Sequence, residues 1–227
     1  PESILKLPRC TKPRFETDGS SLDIDIKVKE ALQEGLGVYE IDGKLIQSLT
    51  PSLILTQSQC EVCAVSLQDV HKIQKQFLDD KTKILALKTD NLDDLFADIL
   101  RVSQALDVEA RGFNLIEALK IKMDRINTTA SRKLTKPRVA CIEWIAPLMA
   151  AGNWVPELVE MAGGTNLFGE KGQHSPTMQF QDLVQSDPDI LLIMPCGFDI
   201  PRTLNEIYPL TEHPGWHNLK AVREGRV

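Results

Sequence analysis

One stretch constrains this chain more than any other: Glu109–Arg132, EARGFNLIEALKIKMDRINTTASR. Phe113, Ile116, Leu119, Met123, Ile126 and Ala130 recur every three or four residues, the period of one helical face. Lys120, Lys122, Asp124 and Arg125 fall mainly on the other side. At about 1.5 Å per residue such a helix reaches roughly 36 Å, the width of a small domain. Strand-like apolar segments lie before it and after it. A long amphipathic helix between two α/β regions is a brace, and a brace predicts two lobes.

The flanking segments agree with that expectation. Ser52–Gln57 (SLILTQ), Lys83–Leu87 (KILAL), Arg138–Trp144 (RVACIEW) and Asp189–Met194 (DILLIM) are short apolar runs, the form taken by strands covered on both faces of a parallel sheet. Helical spacing marks the residues from Ser21 to the glycines at 35 and 37, from Val65 to Phe77, and from Asn91 to Leu106, whose stripe is Leu92, Leu95, Ile99, Val102 and Leu106. It returns at Pro156–Ala162 and Phe180–Gln185. Residues 1–20 read as an extended loop, Tyr39–Ile41 as a short strand and Asp42-Gly43 as a tight turn. From Thr203 onward loop and short helix are expected. The predicted fold class is α/β, with two Rossmann-like lobes of parallel sheet joined by a long inter-lobe α-helix. Its divisions are residues 1–108, 109–132 and 133–227. Leu49-Thr50-Pro51 and Ser186-Asp187-Pro188 each stand at a helix end before a buried strand, so one piece of architecture is placed twice.

Composition narrows the function. A formal net charge of −6 argues against an electrostatic nucleic-acid binder. No apolar run approaches the ~18 residues of a membrane span. The first residues, PESILKLPRC, carry no signal-peptide core, which leaves periplasmic, extracellular membrane-associated and cytoplasmic placement open. Five cysteines at 10, 60, 63, 141 and 196 are odd in number and too sparse for a disulfide framework. They are expected to be mainly reduced, with at most one bridge.

Ligands of open α/β sheets sit beyond the carboxyl ends of the strands. Those ends carry Gln57 to Cys63 after the first run, Glu143-Trp144 and the loop to Trp154 after the third, and Pro195 to Asp199, with Phe198, after the fourth. Cys60 and Cys63 form a CxxC that can line a pocket, cycle a disulfide, bind a metal or simply begin a helix. No second cysteine pair or spaced histidine pair completes a zinc set, and no metal site is assigned. Trp144 and Trp154 can wall a large flat ligand or serve as core aromatics. Glu143 is a hydrogen-bond acceptor or an exposed carboxylate. His174 lies in a polar loop and can face a ligand or solvent. His213 and His217 flank Pro214-Gly215-Trp216, a turn anchored by its tryptophan. No serine elbow, P-loop or paired carboxylates appear, so no catalytic residue is assigned.

Five pieces carry a resemblance: LTPSLILTQ before CEVCAV, RVACIEW, WVPELVEMAGGTNLF, DLVQSDPDILLIMPCG and HPGWHNLKAVREGRV. Together they resemble the class III periplasmic substrate-binding proteins, which deliver vitamin B12, heme and iron–siderophore complexes to ABC importers. CEVCAV with EW and GNWVPE is most similar to the cobalamin-binding branch. The resemblance implies a monomer that is not itself membrane-spanning, with a ligand cleft between its lobes and no cofactor of its own. Cobalamin or a related corrinoid would be held by Gln57, Cys60, Cys63, Glu143, Trp144, Trp154, His174 and Phe198. It implies carboxylates that dock on the importer permease, for which Glu61 and Asp182 are the candidates. It also implies a further strand and helix before Pro1 and after Val227. Two rivals stand: an iron–siderophore or heme carrier, and a cytosolic thiol or metal enzyme built on Cys60 and Cys63.

Overall fold

A computed structural model describes residues 5–34, 37–59 and 65–227. The chain runs β1 (Thr11–Pro13), α1 (Ser21–Gln33), β2 (Tyr39–Ile41), α2 (Gly43–Leu49), β3 (Leu53–Gln57), α3 (Leu67–Phe77), β4 (Lys83–Leu87), α4 (Leu92–Ala105) and α5 (Glu109–Ala130). It continues through β5 (Arg138–Trp144), β6 (Met149–Ala150), α6 (Val155–Met161), β7 (Thr165–Asn166), α7 (Phe180–Ser186) and β8 (Ile190–Ile193). The last elements are α8 (Ile200–Glu206), α9 (Tyr208–Thr211), a 3-10 turn at Trp216–Asn218 and α10 (Lys220–Arg223). Two compact units result. The first holds the chain up to Gly19 and from Asp23 to Lys88; the second holds Ser20–Leu22 and Thr89–Val227, and with it α4 and α5.

In the first unit β3 and β4 pair in parallel, from Leu53 opposite Lys83 to Gln57 opposite Leu87. Asp42 is the N-cap of α2, its carboxylate accepting the Leu45 N–H at 2.9 Å, so the tight turn expected at Asp42-Gly43 is a helix start. A β-carbon at Gly43 would stand 2.5 Å from the Phe77 ring, so a larger residue there requires that ring to move. The expected loop over residues 1–20 also holds a strand: β1 pairs antiparallel with β2, Thr11 opposite Ile41. Extended, proline-bearing backbone can supply such an edge ladder. β3 is only half-buried, with Leu55 exposed. Among the described residues its sheet has two strands, and the run is not covered on both faces as its sequence suggests.

The second unit is built on β5. β8 pairs in parallel along one side of it, Val139 opposite Ile190 through Ile142 opposite Ile193. β7 in parallel and β6 in antiparallel share the other side. Alternation along β5 sends Ala140 and Ile142 into one core with Leu183, Leu191, Trp216 and Leu219. Val139 and Cys141 go into another with Ala151 and Val159. This strand is covered on both faces, as its apolar run requires. Trp216 is buried in the larger core, the anchoring role its turn suggests.

α5 follows its predicted span closely, and Ile116, Leu119, Met123 and Ala130 of its expected face are buried or half-buried, while Phe113 and Ile126 of that face are exposed. Gly112 is buried on the same face: a β-carbon there would lie 2.3 Å from the Ser103 hydroxyl oxygen, so α4 and α5 pack closely through that pair. On α4 the expected Leu95 and Leu106 are exposed and Asp98 is buried instead. Asp98 accepts from the Thr89 hydroxyl at 2.9 Å and from Arg101 at 2.7 Å, which satisfies a carboxylate that burial would otherwise penalise.

The repeated corner is present in three dimensions. Thr50 caps α2 with φ 44° and Asp187 caps α7 with φ 39°, both left-handed. Each turns the chain into a proline, Pro51 or Pro188, and then into the parallel strand β3 or β8. A left-handed residue ends a helix by satisfying its last carbonyls, and the proline prevents the helix from resuming.

Candidate functional site

The carboxyl end of β5 and the extension of β8 run side by side beyond the sheet proper. Met194 N–H donates to the Ile142 carbonyl at 2.9 Å and Cys196 N–H to that of Glu143 at 3.1 Å. These bonds bring the two predicted strand-end loops together. Trp144 and Phe198 meet with ring centroids 5.4 Å apart at an interplanar angle of 58°, a tilted geometry favoured by ring quadrupoles. The indole is fixed by its own loop, its Nε1–H donating to the Ala146 carbonyl at 3.0 Å. Both rings are half-buried.

α8 completes this cluster. Asp199 caps it, accepting the Arg202 N–H at 2.9 Å, and that first turn lays the Arg202 guanidinium 3.9 Å from the centre of the Phe198 ring. Glu143 is half-buried beside Cys196. Partial burial, with the Glu143 charge adding to it, raises the Cys196 thiol above its ordinary pKa, so the thiol stays protonated at neutral pH. The arrangement is an aromatic shelf with one cationic and one anionic edge. It suits a large flat molecule bearing polar groups at its rim. Sequence reasoning missed Arg202 and also Met194, an exposed thioether at the strand end. Residues 200–202 carry no expectation from the sequence, whereas the carboxyl end of the run Asp189–Met194 is the signal that could have found Met194.

Trp154 and His174 lie on a second pair of loops, packed against each other backbone to backbone. Asn153, at φ 53°, donates its N–H to the Gln173 carbonyl at 2.7 Å and accepts from the Gly172 N–H at 3.0 Å. Gly152 donates to the Ser175 hydroxyl at 3.1 Å. A β-carbon at Gly152 would stand 2.4 Å from the Gln173 carbonyl oxygen, and one at Gly169 would stand 2.2 Å from that of Ala151. Lys171 ties the same loop to Glu157 at 2.5 Å. The other Glu157 oxygen accepts the Leu92 N–H at 2.9 Å and so closes the start of α4. Trp154 is half-buried at the start of α6. His174 is exposed, its Nδ1 3.0 Å from the Ser175 carbonyl.

In the first unit Gln57 ends β3 and lines an open groove of about 450 Å³ with Thr11, Tyr39, Thr56 and Leu87. Cys60, Glu61 and Cys63 lie outside the described residues. Asp182 is committed to α7: its carboxylate accepts the Gln179 N–H at 2.8 Å and caps that helix.

Comparison with known proteins places this geometry in context. The family model described as periplasmic binding protein matches residues 10–227. The high-affinity heme uptake system protein IsdE of Staphylococcus aureus (strain Newman) is 22% identical over 143 residues, 61% of this chain and 48% of that protein. The chain thus spans about half the length of the curated relatives it matches. The crystal structure of S. aureus IsdE complexed with heme has a TM-score of 0.65 at 20% identity, covering 83% of this chain and 70% of that one. An ABC transporter substrate-binding protein from Listeria monocytogenes EGD-e has a TM-score of 0.67 at 18% identity, with 82% and 70% covered. A periplasmic heme binding protein from Pseudomonas aeruginosa has 0.66 at 16% identity, with 87% and 71% covered.

Proposed function

The chain belongs to the periplasmic binding protein family, and from that premise we propose that it captures a flat metal tetrapyrrole, heme in the first instance, for an ABC importer. It acts outside the cytoplasmic membrane and delivers its ligand to the importer permease. The observation that carries this reading is the shelf of Trp144 and Phe198 with Arg202 stacked on it. Aromatic faces bury a macrocycle, and a guanidinium pairs with carboxylates at its rim. Relatives named for heme support heme over the corrinoid that CEVCAV and GNWVPE bring to mind. Glu143 and Cys196 border the shelf within the second unit, and Trp154 and His174 are proposed as further ligand contacts on that unit's other loops.

No chemistry on the ligand is required of this arrangement. The thiols at 141 and 196 are held protonated, Cys141 being pushed up to about 11 by burial, which argues against thiolate catalysis at either. Glu61 remains a proposed contact for the permease. Asp182 is proposed with less reach, since one of its oxygens already caps α7.

Titration with heme tests the proposal. Binding shifts the Soret band and quenches tryptophan fluorescence, and cyanocobalamin and a ferric hydroxamate serve as competitors. A Soret band unchanged by the protein, with quenching by cyanocobalamin alone, replaces heme by the corrinoid. No response to any of the three overturns the tetrapyrrole reading.

A further inference from the structure

The end of α5 carries a concentration of positive charge that the ligand site does not use. Lys122, Arg125, Arg132, Lys133 and Lys136 are all exposed, and none of the five forms an ion pair among the described residues. Between Lys120 and Arg138 the one acidic residue is Asp124, in a chain whose net charge is −6. Lys122, Arg125 and Arg132 follow at spacings that fall on one side of a helix. The helical path continues past Ala130, since the Ser131 N–H still donates to the Asn127 carbonyl at 2.8 Å. Lys120 stands apart, over the Phe96 ring of α4.

Apolar side chains project among these charges. Leu134, between Lys133 and Lys136, is 103% exposed, and Ile121 and Ile126 are 67% and 43% exposed. Leucine and isoleucine bury when packing allows it; here three stand in solvent inside a cationic surface. A basic face studded with protruding aliphatic residues is the composition of a surface that lies on lipid. We propose that this face of the second unit docks on a membrane surface rich in anionic lipid headgroups, with Leu134 inserted between them.

The position is compatible with ligand capture. Residues 131–137 lead into the first residue of β5, at its amino end, whereas Trp144 closes that strand at the opposite end and packs on Phe198 there. Lipid contact therefore leaves the shelf open. The bound state is weak and reversible, since a handful of charges and one inserted leucine fall far short of a spanning helix. Its net negative charge keeps the rest of the chain off the same membrane, so the contact also sets an orientation.

Co-sedimentation with lipid vesicles tests this surface. The protein is expected to bind phosphatidylcholine vesicles that contain phosphatidylglycerol, to ignore pure phosphatidylcholine, and to be released by salt. Replacing Arg132→Gln and Lys133→Gln together lowers the partition coefficient about 25-fold, at about fivefold per charge. Leu134→Gln lowers it further at constant charge. Thermal melting by circular dichroism verifies that each variant is folded, independently of any ligand. Equal binding to both vesicle types, no binding at low salt, or variants that bind like the parent would each overturn the proposal.

Discussion

Trp144 and Phe198 sit tilted at 58° with ring centroids 5.4 Å apart, and that contact helps join the loop after β5 to the loop after β8. An aromatic pair of this kind contributes about 0.5–1.5 kcal/mol beyond its buried area. Trp144→Ala and Phe198→Ala are each expected to weaken heme binding roughly tenfold by fluorescence and Soret titration. The double variant should lose less than the sum of the two, because each single change already breaks the shared contact. Strictly additive losses would mean the rings act separately.

The interlocked loops make a parallel prediction. Trp154→Ala weakens heme binding while leaving the melting temperature nearly unchanged, since Trp154 is half-buried and belongs to neither core. A large loss of stability with affinity intact would assign it to packing instead.

Gly112 tests the junction of α4 and α5. Gly112→Leu forces the helices apart against Ser103 and should cost about 1–3 kcal/mol in denaturant unfolding, the usual cost of overpacking. Lys120→Gln, on the same helix but resting over Phe96 at 5.3 Å, should cost at most about 1 kcal/mol and leave heme affinity unchanged.

Asp189 supplies a pH signature. Its carboxylate accepts the Arg138 N–H at 2.8 Å and pairs with Lys220 at 2.5 Å. The Arg138 N–H first, and Lys220 after it, hold its pKa below the ordinary 3.8. A carboxylate with a depressed folded pKa stabilises the fold above the unfolded value and loses that contribution as pH falls through the folded one. Asp189→Asn is therefore expected to melt earlier than the parent at neutral pH, with the gap closing as the pH drops below the ordinary value. A gap independent of pH would locate the effect in packing.

The thiols give the opposite sign. Burial raises Cys141 from 9.0 to about 11, so ionisation opposes folding and stability should decline as pH rises through that interval. In native protein, iodoacetamide should leave Cys141 unlabelled. It should modify Cys196 with a pH–rate midpoint above that of an ordinary thiol, as peptide mass spectrometry would show.

What could be read in the sequence follows from how local its cause is. β5 was legible because four consecutive residues, Val139–Ile142, alternate between two cores, and α5 because its helical period is long. β6 and β7, two residues each, carry too few side chains to show a period; they exist because β5 offers them an edge. Gly112 was missed on α5 because its contribution to packing is the absence of a side chain. Asp98 was overlooked on α4 because a buried carboxylate is recognisable only with its partners Thr89 and Arg101 in view. At the site, Trp144 and Phe198 were named as candidates from strand ends alone. Arg202 was not, since its contact depends on a capping turn at Asp199.

The backbones around Gly152 and Gly169 leave no room for a β-carbon, and loops so closely fitted have no second place to rest. A ligand that met Trp154 would find a wall already built and would spend little of its binding energy on ordering it. Uptake would then run at the rate of encounter, and the lifetime of the complex, rather than any loop motion, would time the handover.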